Sequence, residues 1–174
     1  MPLASYIQIK DIPLIDLSGK GGKESLMATL LPGWKRVPEE LFDYEMDAVS
    51  GILRVELKKQ RNEQWFDVGK YYDLSADDRN IWLLFVIHSQ GRITHLLAVK
   101  LGCFVDFLCV HPEMQKVGWN AVVFQTAKIF KDKYPSLQFK VSAKILTLYK
   151  NHPEIFELIY KSPALANSMP IAPN

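Results

Sequence analysis

Cysteine is scarce in this chain, and its scarcity excludes a disulfide-rich secreted domain and a cysteine-based zinc module. Among the 174 residues the cysteines are Cys103 and Cys109. Both stand in an apolar stretch, and we interpret them as buried side chains on one face of a strand. The core must therefore come from hydrophobic packing, which a domain of this length supports without cross-links.

The sequence also shows no long apolar run, no pattern typical of a leader segment and no large net charge. No stretch approaches the roughly 18 apolar residues that a membrane span requires, and the first residues lack a basic segment followed by an apolar one. We therefore expect a protein of the cytoplasm that does not enter a membrane. The net charge of +2 is too small to indicate a dedicated nucleic-acid-binding domain. Any contact with nucleic acid must come from local groups of charge.

Two common motifs of catalytic sites are absent from the sequence. The glycines in Ser18-Gly19-Lys20-Gly21-Gly22 do not have the spacing of a phosphate-binding loop, and they predict an ordinary loop. No pair of histidines stands at the i, i+4 spacing of a helical metal site. We expect structural or surface roles for all the histidines, which are His88, His95, His111 and His152.

The apolar patterns predict one domain over residues 1–174, of α/β (α+β) class, with a mixed central β-sheet flanked by helices. Residues 1–22 are expected to form an N-terminal arm, and residues 162–174 a loose tail rich in proline and small residues. We expect the strands that follow the first helix to run antiparallel. The predicted helices are 23–31, 62–74, 118–133 and 145–160, with an interruption at Pro153, and the predicted strands are 41–47, 52–60, 81–88, 93–101, 104–110 and 137–141.

One stretch carries the residue types that phosphodiester hydrolysis needs, and it reads Asp47-Ala-Val-Ser-Gly-Ile-Leu-Arg-Val-Glu56-Leu-Lys58. Side chains alternate along a strand, so Glu56 and Lys58 share one face. A hairpin turn at Ser50-Gly51 is expected to return Asp47 alongside Glu56. Carboxylates of this kind hold Mg²⁺, which activates a water, and a lysine stabilises the charge of the transition state. We therefore predict Asp47 and Glu56 as metal ligands and Lys58 as the catalytic cation.

These residues resemble the signature of the PD-(D/E)xK nucleases, and within them the small type II restriction endonucleases. The resemblance implies that Asp47 and Glu56 bind Mg²⁺, with Mn²⁺ as a substitute, and that Lys58 is the catalytic lysine. It also implies a restriction-endonuclease-like αβββαβ core, which the predicted helix 23–31 and the strands after it follow. Met46 stands where the family has proline.

The resemblance further implies a type II endonuclease that cuts a specific site in double-stranded DNA. Cleavage of both strands of a palindrome requires two sites related by a two-fold axis, and hence a homodimer. A structure-specific repair or recombination nuclease of the same fold is the nearest alternative.

Several residues near the motif are candidates for lesser roles, although a solvated surface explains each of them as well. Asp43 and Glu45 share strand parity with Asp47 and are candidates for a further ligand. Cations contact phosphates and amides pair with base edges, which makes a second group candidates for DNA binding. The additional metal-site candidates are Glu40, Glu45 and Gln60, and the DNA-binding candidates are Lys59, Arg61, Asn62, Gln64 and Lys70.

Two other classes of function stay open. The stretch from Val110 to Asn120 resembles the acyl-CoA loop of GNAT-type N-acyltransferases, in which backbone N–H groups bind a pyrophosphate at a helix N-terminus. Asn120 stands where that family has glycine or alanine. The third class is a non-catalytic interaction module, in which Asp47 is a turn residue and Glu56 and Lys58 are an ordinary surface pair.

Overall fold

Two β-sheets and three helices make up the computed structural model, which describes residues 2–17, 23–37, 42–61, 65–67, 74–110, 116–117 and 141–163. The strands are β1 (Lys35–Arg36), β2 (Tyr44–Ala48), β3 (Gly51–Arg61), β4 (Trp65–Asp67), β5 (Trp82–Ser89), β6 (Arg92–Lys100), β7 (Lys116–Val117), β8 (Val141–Lys144) and β9 (Glu157–Lys161). The helices are α1 (Lys23–Leu30), α2 (Leu101–Val110) and α3 (Ile145–Asn151). The main sheet has the order β1-β2-β3-β5-β6-β9, and a smaller sheet has the order β4-β8-β7.

Apolar layers cover both faces of the main sheet, as the sequence predicted. On one face α2 and α3 pack against β5 and β6, around the buried side chains of Phe85 and Phe104. On the other face α1 and the N-terminal residues pack against β3, β5 and β6, around Leu57 and Leu84. The N-terminal segment is therefore part of the core, since Leu3 is 1% exposed. The mixed sheet flanked by helices is confirmed.

Two hairpins fall where the turn residues predicted them. The β2–β3 turn is followed by Gly51 with φ +123°, a backbone conformation that favours glycine. The β5–β6 turn has positive φ at both Gln90 and Gly91, which is the signature of a type I′ turn and matches the right-handed twist of the strands. β5 is buried along nearly its whole length, as its continuous apolar run indicated.

The pairing of β3 with β5 is parallel, so the expectation of antiparallel strands is wrong at this point. Parallel neighbours require a connection that leaves the sheet and returns. Within this connection lies β4, which pairs with β8 in the smaller sheet. The predicted helix 62–74 is therefore wrong over Trp65–Asp67, where the aromatic residues favour a strand. Residues 62–64 and 68–73 lie outside the described residues.

The segment predicted as strand 104–110 is the helix α2, and the reason is visible in its burial. Its apolar run satisfies a helical period as well as a strand, and contacts with the sheet select the helix. The exposed side of α2 includes Cys103, so the expectation of a buried cysteine on a strand face is wrong. The buried side chains include Leu101, Phe104 and Val105, and the exposed ones include Cys103 and Asp106.

The last predicted helix covers two different elements. α3 ends at Asn151, a turn of 3₁₀ helix follows at Pro153–Ile155, and the chain continues as β9. Helix 145–160 is therefore correct up to Asn151 and wrong after Pro153, because β9 pairs with β6 at the edge of the main sheet. Helix 118–133, strand 137–140 and the tail 164–174 lie outside the described residues.

Candidate functional site

β3 positions two of the three predicted catalytic residues as expected. Glu56 and Lys58 stand opposite Leu83 and Phe85 of β5 and share the face that α2 and α3 cover. Glu56 is only 6% exposed, whereas Lys58 is half-buried. A carboxylate and an ammonium group thus lie one pleat apart at the border of the apolar core.

The structure does not bring Asp47 to Glu56. In the β2–β3 ladder Asp47 stands opposite Ile52, next to the hairpin turn. Ile52 and Glu56 lie on the same face of β3, four residues apart. The carboxylates of Asp47 and Glu56 therefore share that face but lie about 13 Å apart along the strand. The expectation that the hairpin returns Asp47 alongside Glu56 is therefore wrong, because parity fixes the face and not the position along the strand.

Asp43 supplies the carboxylate that lies close to the Glu-x-Lys motif. Its N–H donates to the carbonyl oxygen of Val55 at 2.8 Å. Its carboxylate oxygen Oδ2 accepts a hydrogen bond of 2.8 Å from the backbone N–H of Leu57. Leu57 stands between Glu56 and Lys58, so the Asp43 carboxylate is fixed at the backbone of the motif itself.

Charges of alternating sign follow the same face of β3 and its neighbour β2. Arg54 precedes Glu56 by one pleat and stands directly opposite Glu45 of β2. Glu45 in turn forms a salt bridge of 3.9 Å with Lys35. The side chains of Glu45, Arg54, Glu56 and Lys58 therefore alternate in sign, and the site is close to neutral.

Arg54 is held by packing as well as by charge. Its guanidinium lies over the ring of Phe42, 5.1 Å from the centroid. Its Nε is enclosed and has no hydrogen-bond partner among the described residues. A buried donor without a partner is unfavourable, which marks this position as one that an added acceptor would stabilise. The alternating charges in the pattern Arg54-x-Glu56-x-Lys58 were the signal in the sequence that could have identified Arg54 as part of the site.

Carboxylate oxygens are the donors at this site that could hold a divalent cation. Within the part of the chain that the structure describes, no three side chains of His, Cys, Asp or Glu are grouped to hold a metal ion. Mg²⁺ retains several waters and needs only one or two carboxylates. Asp43 and Glu56 are two such carboxylates, and their oxygens fit Mg²⁺ or Mn²⁺ rather than a softer metal.

The remaining predicted residues contribute less to this site. Lys59 is exposed, and its parity places it on the opposite face from Glu56. Gln60 and Arg61 end β3, and their side chains are outside the described residues. The same holds for the whole of four other candidates, which are Glu40, Asn62, Gln64 and Lys70. Of the GNAT-like loop the structure describes Val110, at the end of α2, and Lys116–Val117, which form β7.

A second polar group, which sequence reasoning assigned to structure alone, surrounds His95. His95 is 6% exposed, and its Nδ1 lies 2.9 Å from Thr94 Oγ1. Burial, followed by the charges of Lys161 and Lys150, lowers the pKa of His95 below its ordinary value of 6.5. The signal was a polar Thr94-His95 pair in the middle of an apolar strand.

Comparisons with known proteins found no match to a family model, a curated protein or a solved structure. Among the described residues, none of the helices is both long and apolar enough to cross a membrane. Any function must therefore be argued from the geometry of this chain.

Proposed function

We propose that this chain is a metal-dependent phosphodiesterase that acts on DNA, with Asp43, Glu56 and Lys58 at its site. The observation that carries the proposal is the 2.8 Å hydrogen bond from the Leu57 N–H to Asp43 Oδ2. It holds a second carboxylate beside a strand that already presents Glu56 and Lys58. Asp43 thereby takes the role that the sequence assigned to Asp47.

Each residue has a distinct task in such a reaction. Asp43 and Glu56 would hold Mg²⁺, and the bound ion supplies charge neutralisation of the phosphodiester and a water of lowered pKa. Lys58 orients the attacking water and stabilises the negative charge that grows on the phosphoryl oxygens. Arg54, one pleat before Glu56 on the same face of β3, adds a positive charge beside the phosphodiester.

The finer proposal concerns the substrate and the assembly. The resemblance of Glu56-Leu57-Lys58 to the PD-(D/E)xK motif supports a type II endonuclease that cuts double-stranded DNA as a homodimer. A structure-specific repair nuclease would instead act on branched DNA. End mapping on mixed-sequence duplex DNA, beside cleavage of a four-way junction, separates the two, because a restriction enzyme yields discrete ends from the duplex.

The experiment that tests the activity is cleavage of duplex DNA with and without Mg²⁺. We expect cleavage by the wild type with Mg²⁺ and none in EDTA. Glu56→Gln and Lys58→Ala should each reduce the rate by about 100-fold or more, because their groups act on the charge of the transition state. Lys58→Ala should retain DNA binding.

Lys59→Ala is the matched control, since Lys59 is adjacent in sequence but lies on the opposite face of β3. It should keep the cleavage rate at saturating DNA, and circular dichroism should show the same fold for all variants. Absence of Mg²⁺-dependent cleavage in the wild type, or a wild-type rate in Lys58→Ala, contradicts the proposal.

A further inference from the structure

A β-bulge in β6 brings two consecutive side chains together. Ile87 of β5 pairs with His95, and His88 pairs with Ile93, so Thr94 has no partner across this ladder. Neighbouring side chains in a regular strand point to opposite faces, yet Thr94 Oγ1 and His95 Nδ1 are 2.9 Å apart. Bulges redirect side chains in this way and are frequent beside functional sites.

The hydrogen bonds of Thr94 determine which ring nitrogen of His95 carries the proton. Thr94 Oγ1 donates its hydrogen to the carbonyl oxygen of Ile87 at 3.2 Å. Because a hydroxyl has no second hydrogen to donate, Nδ1 of His95 must donate to Thr94. In the neutral ring Nε2 is then the unprotonated nitrogen.

The second ring nitrogen of His95, Nε2, is left over by the hydrogen bond to Thr94. Among the described residues it has no hydrogen-bond partner. Within the same part of the chain, Arg54 Nε is the one side-chain nitrogen or oxygen that is both enclosed and without a partner. Nε2 lacks a partner and is not enclosed to the same degree, so it lies at the edge of the buried ring.

Among the described residues, the charges that act on the ring are those of two lysines, Lys161 and Lys150. Lys161 of β9 is the cross-strand partner of His95, so the two side chains lie on the same face of the sheet. Tyr149 of α3 contacts the ring edge-on with centroids 5.8 Å apart, and Lys150 follows it along the helix. β5 contributes Ile87, which has no charge. Burial first, and then the charges of Lys161 and Lys150, disfavour the protonated ring and lower the pKa of His95.

We propose that His95, Lys150 and Lys161 form a proton-linked binding site for an oxyanion of the phosphate class. The lysines supply the charge, and Nε2 donates a hydrogen bond to the anion once it is protonated. An anion offsets the repulsion between the lysines and the imidazolium, so anion binding and protonation of His95 favour each other equally. Two cations beside the ring favour an anion over a metal ion.

The site is independent of the proposed nuclease site. β6 lies two strands from β3 in the main sheet, about 10 Å across it. The apolar side chains of Phe85 and Leu97 lie between Lys58 and the region of His95. Failure of one proposal therefore leaves the other unaffected.

The test is an NMR titration of the His95 ring in the whole protein, with inorganic phosphate or with chloride at matched ionic strength. In chloride we expect the Nδ1–H tautomer and a pKa below 6.5. Saturating phosphate should raise this pKa by about one unit, which corresponds to about tenfold tighter binding to the protonated protein. An unchanged pKa in phosphate overturns the proposal.

Dimethyl phosphate separates the two sources of such an anion. A pKa rise with both compounds supports a site that also accepts the phosphodiester of a nucleic acid. A rise with inorganic phosphate alone supports a site for a free phosphate group.

Lysine variants link the effect to this position. Lys161→Gln should raise the pKa of His95 in chloride and weaken phosphate binding several-fold, because it removes one of the cations. Lys100→Gln, at the other end of β6, should leave both quantities unchanged. Equal phosphate affinity in the wild type and Lys161→Gln overturns the assignment.

Discussion

At the scale of single residues, the Asp43 carboxylate takes the place of a backbone acceptor. β2 begins at Tyr44, so the N–H of Leu57 on β3 extends beyond the end of its neighbour. Asp43 Oδ2 accepts this N–H, because a sheet N–H left without a partner is unfavourable. An asparagine would keep an acceptor oxygen there and lose the charge, which makes Asp43→Asn a test of charge rather than of folding.

The buried His95 gives the stability of the protein a defined dependence on pH. Its pKa is lowered in the folded state, whereas in the unfolded chain it returns to about 6.5. Between these two values the unfolded chain binds more protons at His95, so the contribution of His95 to stability is complete above pH 6.5 and decreases as the pH falls through this window. Urea unfolding at about pH 8 and about pH 5 should show this loss, and His95→Asn should show a smaller one. His88 and His152 are present in the wild type and in His95→Asn, so they serve as the internal control. An equal loss of stability in the two proteins would contradict the assignment to His95.

At the scale of secondary-structure elements, α2 depends on a close contact with the turn before β5. Gly102 lies against Arg79, and a Cβ added at Gly102 would lie 2.9 Å from the Arg79 Cβ. Arg79 is also fixed by a salt bridge of 2.6 Å to Asp106 on the next turn of α2. The contact involves the base of the arginine side chain, which cannot move away without its backbone.

We therefore expect Gly102→Ala to destabilise the protein by about 1–3 kcal/mol, as an overpacking substitution does. Thermal unfolding measures the effect. Cys103→Ala, at the neighbouring exposed position, should change stability by less than about 0.5 kcal/mol. Equal melting temperatures for the wild type and Gly102→Ala would show that the contact is looser than the structure indicates.

The elements that the sequence predicted are those with local signals. Both hairpins have their turn residues at Ser50-Gly51 and Gln90-Gly91, and α1 has a helical apolar pattern. The errors occur where partners are distant in sequence: β4 pairs with β8, and β9 pairs with β6. α2 was missed for a different reason, since its apolar run fits both periods.

In the candidate site too, the features with local signals were predicted and those that depend on distant partners were not. Glu56 and Lys58 share a face because strand alternation is a local property, and this part was correct. The partner carboxylate depends on the register between β2 and β3, which the turn sets and the apolar pattern does not specify. The His95 group depends on a bulge and on Lys161 at the far end of the chain, which no local pattern reveals.

At the scale of the whole molecule, the N-terminal segment is anchored to the last described strand. The backbone N–H groups of Leu3 and Ala4 donate to the two carboxylate oxygens of Glu157 at 3.0 and 2.9 Å. Leu3, Ile12 and Leu17 then fill the core beside the sheet. One carboxylate on β9 thus fixes the segment that covers one side of the main sheet.

Glu157→Gln should loosen this segment, because an amide offers one acceptor oxygen where two N–H groups need one each. We expect faster hydrogen exchange in residues 2–17 and a loss of about 1 kcal/mol in stability. Glu154→Gln, at an exposed position nearby, is the control and should change neither. Unaltered exchange in Glu157→Gln would mean that hydrophobic burial alone holds the segment.

At the same scale, the proposed activity as a metal-dependent phosphodiesterase is tested most directly by the Mg²⁺-dependent DNA cleavage rates of Asp43→Asn and Asp47→Asn. Asp43→Asn should reduce cleavage by about 100-fold or more with an unchanged fold, because it removes a proposed metal ligand and keeps the acceptor for Leu57. Asp47→Asn should stay within about twofold of the wild type, because its carboxylate is about 13 Å from Glu56. Loss of cleavage in Asp47→Asn, or a wild-type rate in Asp43→Asn, would contradict the site described here.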